Sequence, residues 1–153
     1  MALTYNDAKY EKFTNAPVPI EEVGGAQAYK DISGGRLPGI SKWAGSFGGE
    51  VTSNATDFLS QHGKFFLGFD SFFRSEFSSS PSPSQFLNIP GYGLVNARVG
   101  FRATEGLSLF VWARNLLDKD YYEQLLAAGG SAGHYAAVLG DPGTYGITLR
   151  YFF

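Results

Sequence analysis

The sequence predicts an all-β protein, an antiparallel up-and-down meander of about six strands. Several segments of about ten residues alternate between apolar and polar side chains, the pattern of a strand whose two faces meet different surroundings. Stretches rich in Gly, Pro and Ser separate these segments and supply the turns. No stretch approaches the ~20 consecutive apolar residues of a membrane-spanning helix, so contact with a bilayer would have to be made by strands.

The composition excludes several classes of function. Aromatic residues make up 16% of the 153 residues, too large a share for a disordered chain. The formal net charge is −2, which gives no electrostatic reason to expect nucleic acid or an anionic membrane surface as a partner. The sequence has no Cys, so disulfides and thiolate chemistry are excluded.

The first three predicted strands lie in the first half of the chain. Residues 3–13 are rich in strand-forming residues at their start, but their facing is ambiguous. Residues 42–51 and 65–77 alternate more clearly. In the third segment, Phe66 and Phe72 place large rings among the polar positions.

The last three predicted strands cover residues 94–102, 107–114 and 144–153. The final segment gives the clearest alternation, because one of its faces is wholly apolar or aromatic and the other is mostly small or polar. The apolar face consists of Tyr145, Ile147, Leu149, Tyr151 and Phe153. All six segments are near the length with which a tilted strand crosses a bilayer, about 10 residues.

The connections between these strands differ in length. Residues 15–39, 78–91 and 124–143 are long, residues 52–63 are intermediate, and residues 104–106 form a tight turn. Short turns on one side and long loops on the other are typical of outer-membrane barrels, although a soluble sheet can also carry long loops. A short helix over residues 118–128 is a competing prediction that leaves the strand count unchanged.

Aromatic residues cluster near the predicted strand ends. They are Trp43, Tyr92, Tyr121, Tyr122 and Tyr145. In a membrane barrel we expect such residues to form the girdles at the two interfaces. Packing inside a soluble sandwich is the alternative.

No arrangement of side chains predicts catalysis, a cofactor or a metal. His62 and His134 are the only imidazoles, and no carboxylate spacing matches them. Asp118 and Asp120 are not followed by the Gly and Glu of a calcium-binding loop. We therefore expect a protein that is not an enzyme, with no catalytic, cofactor-binding or metal-binding residues.

Two motifs near the end of the sequence carry a family resemblance. The first, residues 111–122, reads Val-Trp-Ala-Arg-Asn-Leu-Leu-Asp-Lys-Asp-Tyr-Tyr. The second, residues 139–153, reads Leu-Gly-Asp-Pro-Gly-Thr-Tyr-Gly-Ile-Thr-Leu-Arg-Tyr-Phe-Phe. Together, and in this order, they resemble the last two strands of TonB-dependent outer-membrane receptors.

The resemblance depends on particular residues. In the family the penultimate strand commonly ends Asn-Leu-Phe-Asp-Lys-x-Tyr, and the last strand commonly reads Gly-x-Pro-Arg-x-Tyr-Gly-Val-x-Leu-x-Tyr-x-Phe. The residues that match these two patterns are Asn115, Leu116, Asp118, Lys119, Tyr121, Gly140, Pro142, Tyr145 and Gly146. The sequence departs from the pattern at Leu117, where Phe is usual, and at Gly143, where Arg is usual.

The resemblance implies both a fold and a function. It implies a transmembrane barrel of about 22 strands whose lumen holds a separate plug domain, with this chain as an incomplete part of the barrel. It also implies active uptake of a scarce ligand, of the iron–siderophore, cobalamin or oligosaccharide class, driven by TonB through a short N-terminal box. Residues 1–153 are then expected to be the C-terminal barrel segment, without the plug domain and the TonB box.

Six strands are too few for a closed barrel, since the smallest single-chain outer-membrane barrels have ~8. An open sheet in lipid leaves unpaired backbone groups along two edges, at a cost of several kcal/mol each. We therefore expect no transport by this chain alone, and we expect it to need the remaining barrel and the plug as partners. TonB would act only through the missing N-terminal region. The alternative is a self-assembling barrel or binding module whose copies close edge to edge.

The last strand also predicts a partner and a location. Alternate apolar residues before a terminal Phe form the signal that the barrel-assembly machinery reads, and the five residues Tyr145, Ile147, Leu149, Tyr151 and Phe153 fit it throughout. The same residues could serve only to face lipid, and both roles can hold. The expected location is the lipid of the cell outer membrane, as part of the full-length receptor, although the N-terminus shows no signal peptide.

Overall fold

A computed structural model describes residues 1–128 and 133–151. Its strands are β1 (Ala2–Tyr5), β2 (Ala16–Pro17), β3 (Tyr29–Lys30), β4 (Trp43–Thr52), β5 (Thr56–Phe58), β6 (Gln61–Arg74), β7 (Phe77–Ser78), β8 (Asn88–Ile89), β9 (Tyr92–Ala103), β10 (Leu107–Arg114), β11 (Tyr122–Ala127), β12 (Tyr135–Leu139) and β13 (Thr144–Tyr151). Two 3₁₀ turns, Ile20–Glu22 and Gln85–Leu87, lie in the connections. Within these described residues, no helix has the length and apolar character needed to cross a membrane.

The main sheet confirms the predicted fold class. Its strands lie in the order β1–β4–β6–β9–β10–β13, each antiparallel to its neighbours, while the short β5 also pairs with β6. The order of these six strands in the sheet is also their order in the sequence, which makes the sheet an up-and-down meander. The six predicted strands are all present, although the first is shorter than predicted because its pairing with β4 ends at Tyr5.

The intermediate connection predicted at residues 52–63 is mostly paired in the structure. Both β4 and β5 pair with β6, so they form one interrupted strand along the same neighbour. At the interruption, the Ser53 amide donates to the Phe65 carbonyl at 2.9 Å, and the Phe65 amide donates to Ser53 Oγ at 3.0 Å. The hairpin then turns through Leu59 and Ser60, which both have positive φ, 51° and 60°, as in a two-residue primed turn.

The two ends of the sheet carry different kinds of connection. The short turns at residues 59–60 and 104–106 lie at the lower end. The long connections, residues 6–42, 75–91 and 115–143, all lie at the upper end, because successive strands run in opposite directions. Their described residues are called the cap below. This distribution matches the short-turn and long-loop asymmetry predicted from the sequence.

Most of the buried apolar side chains lie in the cap. Among the described residues the cap contributes Ala16, Pro19, Phe77, Leu87 and Ile89, whereas the sheet contributes Phe66 and Phe101. The cap is organised by three hairpins, β2–β3, β7–β8 and β11–β12. The described parts of the long loops are therefore packed structures.

The third hairpin replaces the short helix considered for residues 118–128. Residues 122–127 instead form β11, which pairs antiparallel with β12. The apolar residues there gain a partner strand from the following segment, and this strand pairing outweighs local helix propensity. Gly129, the expected helix cap, lies outside the described residues.

The sheet is not closed. Its order begins at β1 and ends at β13, with no pairing between these two strands in the part of the chain that the structure describes. The architecture is that of an incomplete barrel.

Candidate functional site: two faces and a turn

One face of the sheet, here the apolar face, carries a continuous apolar surface. A row of aliphatic side chains crosses five neighbouring strands in register: Ile147, Val111, Val99, Leu67 and Val51. All five are exposed; Ile147 is 73% exposed and Leu67 is 53% exposed. Large continuous apolar surfaces of this kind mark contact with a membrane or another protein.

Aromatic rings lie near both ends of the apolar face. At the upper end, the rings of Tyr5 and Trp43 are 4.7 Å apart, and Tyr145 is 85% exposed. At the lower end, the rings of Phe58, Phe65 and Phe101 pack in a triangle with centroid separations of 5.1–5.3 Å. Trp43 and Tyr145 thus lie where a girdle was predicted, while Tyr5 and the Phe triangle were not among the predicted residues.

Three of the predicted girdle residues lie elsewhere. Tyr92 pairs in register with Arg74, on the opposite face. Tyr121 lies in the cap and stacks on Tyr92, with ring centroids 4.5 Å apart. Tyr122 begins the cap strand β11. Tyr92 follows the register of the polar face, and Tyr121 and Tyr122 lie outside the main sheet, so rings near strand ends in sequence need not lie on the apolar face.

The opposite face, here the polar face, carries charged groups held by one another. Glu50 accepts hydrogen bonds from Arg98 Nη2 and Arg102 Nη1, both at 3.3 Å. Asn96 Nδ2 donates to Asp70 Oδ2 at 2.7 Å. Charged groups on one face and aliphatic groups on the other give the sheet two distinct environments.

Aromatic rings alternate with the cations of the polar face. The guanidinium carbon of Arg102 lies 4.6 Å from the ring centroid of Phe66, and that of Arg150 lies 5.6 Å from the ring centroid of Phe110. Trp112 donates from Nε1 to Thr148 Oγ1 at 3.1 Å. These residues line a groove of about 770 Å³.

The Asn115 side chain organises the turn after β10. Asn115 has a φ of 46° and is buried. Its Nδ2 donates to the carbonyls of Lys119 and Asp141, each at 3.0 Å, and its Oδ1 accepts from the Lys119 amide at 2.9 Å. Asn is among the few residues that tolerate positive φ, and its amide satisfies backbone groups that the turn leaves unpaired.

Other motif residues attach this turn to its surroundings. Asp118 also has a positive φ, 48°, and its Oδ1 accepts from the Gly143 amide at 2.8 Å. The Leu116 amide donates to the Val95 carbonyl at 2.7 Å, although the Leu116 side chain is exposed. The structure therefore brings together the turn after β10 and the segment that leads into β13.

The two motif glycines lie against aromatic rings. A Cβ at Gly140 would lie 2.0 Å from the Tyr121 ring, and one at Gly146 would lie 2.6 Å from the Trp112 ring. Both positions therefore exclude a side chain unless the ring moves. Pro142 lies between Asp141 and Gly143 in the segment that the turn holds.

Four of the five residues predicted as an assembly signal lie on the sheet's last strand. Tyr145, Ile147, Leu149 and Tyr151 fall on the apolar face of β13, in register with Ala113, Val111, Leu109 and Leu107. Phe153 lies outside the described residues.

The cap contains a polar node that joins all three long connections, which we call the cap node. It consists of Glu21, Ser84 and Tyr135. Ser84 Oγ donates to Glu21 Oε1 at 2.6 Å, and the Tyr135 hydroxyl donates to Glu21 Oε2. The sequence did not point to these residues, because each comes from a different loop and none belongs to a motif.

Hydrogen bonding at the cap node shifts two pKa values. Desolvation acts to raise the pKa of Glu21, but hydrogen bonds from Ser84 and Tyr135 outweigh it and lower the pKa below its ordinary value. Desolvation, together with the hydrogen bond to Glu21, raises the pKa of the Tyr135 hydroxyl. The node is therefore held by an ionised carboxylate and a protonated phenol.

The imidazole of His62 lies beside a carboxylate. His62 Nδ1 lies 2.8 Å from Asp57 Oδ1, near the lower turn. No cluster of three or more His, Cys, Asp or Glu side chains suited to a metal occurs among residues 1–128 and 133–151.

Comparison with known families supplies an independent finding. A family model described as TonB dependent receptor-like, beta-barrel, matches residues 1–116. The match covers the main sheet as far as the end of β10 and stops before most of the two motifs discussed above. No curated protein and no solved structure matches the chain.

Proposed function

The chain belongs to the TonB-dependent receptor-like β-barrel family, and from this premise we propose that it forms part of the wall of a receptor for active uptake of a scarce ligand. The family is one of transporters and implies an outer-membrane location for the full-length protein. The proposed ligand is of the iron–siderophore, cobalamin or oligosaccharide class.

The apolar face is the observation that carries the proposal. It presents aliphatic side chains in register over five strands, with aromatic groups towards its ends. The opposite face carries ion pairs and polar groups. A barrel wall needs this arrangement, because lipid lies outside and the interior is polar.

The two open edges of the sheet indicate that it pairs with further strands. Backbone groups at an edge strand have no water to bond in lipid, and each unsatisfied group costs several kcal/mol. We therefore propose that β1 and β13 pair with the remaining strands of a receptor barrel, whose lumen holds a plug connected to TonB. This chain without those strands is proposed not to transport.

The barrel-assembly machinery is a further proposed partner. β13 is an edge strand with alternate apolar side chains, which suits recognition by strand addition. In that mode the backbone provides affinity and the alternate side chains provide specificity.

The two Trp residues of the chain provide a direct test of the membrane orientation. Trp43 lies on the apolar face, and Trp112 lies on the polar face beside Gly146. The full chain would be refolded into vesicles that contain lipids brominated near the headgroup, with W112F reporting Trp43 and W43F reporting Trp112. We expect strong quenching of Trp43 and little quenching of Trp112. Equal quenching of both would contradict the proposal.

Edge-to-edge assembly of several copies is a second candidate, favoured by the same two open edges. Electrophoresis of the refolded chain without boiling separates the two. A discrete oligomer band that disappears on heating would favour self-assembly, whereas a smear would favour a chain that needs other barrel strands.

A further inference from the structure

We propose that the polar face of the sheet is a docking surface for a carboxylate-rich segment of polypeptide. This inference rests on the proposed function, since it takes the apolar face as the side that lies against lipid. It adds the chemical nature of the partner that covers the other side.

The first observation is a row of like charges. Lys64 lies directly opposite Arg102 on neighbouring strands, and Arg102 is followed across Ser108 by Arg150. Lys64, Arg102 and Arg150 are called the basic row below. Like charges directly opposite each other destabilise an antiparallel pair, so this row calls for a compensating anion.

The chain supplies only part of that compensation. Glu50 pairs with Arg98 and Arg102. Among the described residues, Lys64 and Arg150 have no ion pair. Asp70, a carboxylate that lines the groove, accepts a hydrogen bond from Asn96, several rows above the basic row.

The second observation is the aromatic content of the same surface. Phe66, Phe110 and Trp112 lie between the cations, and Arg102, Arg150 and Arg114 lie over their faces. Arg and aromatic residues are the types enriched at protein–protein interfaces. The side chains of Arg98 and Arg102 are 45% and 55% exposed. Cations this exposed would bind a single small anion weakly, because solvent screens the attraction.

The size of the row also favours a polypeptide. Lys64 and Arg150 are three strand spacings apart, which corresponds to about 14 Å. An extended polypeptide covers that distance with about four residues, at roughly 3.3 Å each. A segment with acidic side chains at alternate positions can therefore meet several of these cations at once.

The experiment uses the full chain refolded in zwitterionic detergent micelles. The probe is a fluorescein-labelled dodecapeptide of alternating Glu and Ser, and binding is followed by fluorescence anisotropy. We expect this peptide to bind, with affinity that falls as salt rises, and a Gln–Ser peptide of the same length not to bind. The double variant K64Q/R150Q should weaken binding by at least about tenfold and flatten the salt dependence.

A matched control separates the basic row from net charge. The double variant K12Q/K119Q removes the same charge from the cap, and it should leave the affinity unchanged. A further variant, K64E, places a carboxylate opposite Arg102, which favours the strand pairing while removing a cation from the surface. This variant should stay folded and lose binding.

Three results would overturn the inference. They are absence of peptide binding to the wild type, equal losses in the two double variants, and displacement of the peptide by citrate at equal carboxylate concentration. The last result would identify a small-anion site instead. Quenching of Trp43 by lipid tests the proposed function without the peptide. A failure of the proposed function can therefore be distinguished from a failure of the peptide-docking inference.

Discussion

Asn115 shows that a residue of the first motif has a structural role. Its side chain binds the backbone of Lys119 and Asp141, while its own backbone adopts positive φ. The sequence motif drew attention to Asn115 but did not predict this role, because the contact with the Asp141 carbonyl joins residues 26 positions apart in the chain. Positive φ at Leu59 and Ser60 was also unpredictable, since neither residue type favours it.

Replacement of Asn115 should destabilise the turn through two separable effects. N115A removes the side-chain hydrogen bonds and the residue type that tolerates positive φ, so we expect a loss of about 3 kcal/mol in the free energy of unfolding. N115G keeps the backbone freedom and should cost less than N115A. Urea unfolding of the refolded chain in micelles, followed by tryptophan fluorescence, measures both. Equal losses would contradict a contribution from the positive φ.

Gly140 should be sensitive because of the ring that it faces. G140A places a Cβ where the Tyr121 ring lies, at 2.0 Å, so the ring must leave its stack on Tyr92. We expect G140A to destabilise the chain by about 1–3 kcal/mol. The double variant G140A/Y121A should cost less than the sum of the single variants, because the clash is then absent. Additive losses in the same unfolding assay would argue against the clash.

At the scale of the element, the length of a strand decides whether it is predictable. The six sheet strands follow from alternation because each longer one repeats its pattern several times, and even the short β1 was located, though with its end misplaced. The cap hairpins β2–β3 and β7–β8 have strands of two residues, too short to show a period. The third hairpin was obscured because β11 contains good helix formers, and it is the pairing with β12 that makes it a strand.

The cap should depend on pH through the cap node. Glu21 has a lowered pKa, so its contribution to stability is present above its ordinary value of 4.5 and is lost as pH falls through the lowered pKa. Tyr135 has a raised pKa, so its contribution is present below its ordinary value of 10.0 and is lost as pH rises through the raised pKa.

Hydrogen exchange provides the measurement for this prediction. The Phe86 amide, which donates to Ser84 Oγ, should lose protection at both pH extremes, once the intrinsic pH dependence of exchange is removed. E21Q should abolish the acid-side loss, and Y135F should abolish the alkaline one. Unchanged pH profiles in these variants would show that the node does not control the cap.

At the scale of the whole molecule, the two faces of the sheet define the protein. The alternation predicted both faces, and the chain belongs to a family whose full-length members are outer-membrane barrels. One of the two phenylalanine rings that blurred the third predicted strand now has a place, since Phe66 packs under Arg102 on the polar face. The pairing of cations across β6 and β9 could not be predicted from the sequence, because it depends on the register between strands.

A charge should be tolerated on one face and not on the other. Ile147 and Thr148 are neighbours on β13 with side chains on opposite faces. I147K places an ammonium group against lipid and should cost about 2–4 kcal/mol at the bilayer midplane. T148K places the same charge on the polar face and should cost only about 1 kcal/mol, for the lost hydrogen bond from Trp112.

Vesicle flotation of the refolded chain compares these two variants. The fraction that floats with lipid should fall markedly for I147K and remain near that of the wild type for T148K. Similar flotation of both would mean that the apolar face does not meet the acyl chains.

The buried residues of the cap have a consequence for how the chain loses its structure. Leu87 and Ile89 are buried within the cap. Ile147 and Leu149 are exposed on the apolar face, so only a surrounding amphiphile or a partner can shield them from water. Removal of the surrounding detergent or lipid should therefore unfold the strands of the main sheet first and leave the cap intact. Denaturants in the aqueous phase should instead unfold the cap first. The main sheet and the cap therefore depend on two different media, amphiphile and water, and the stability of each can be reduced separately.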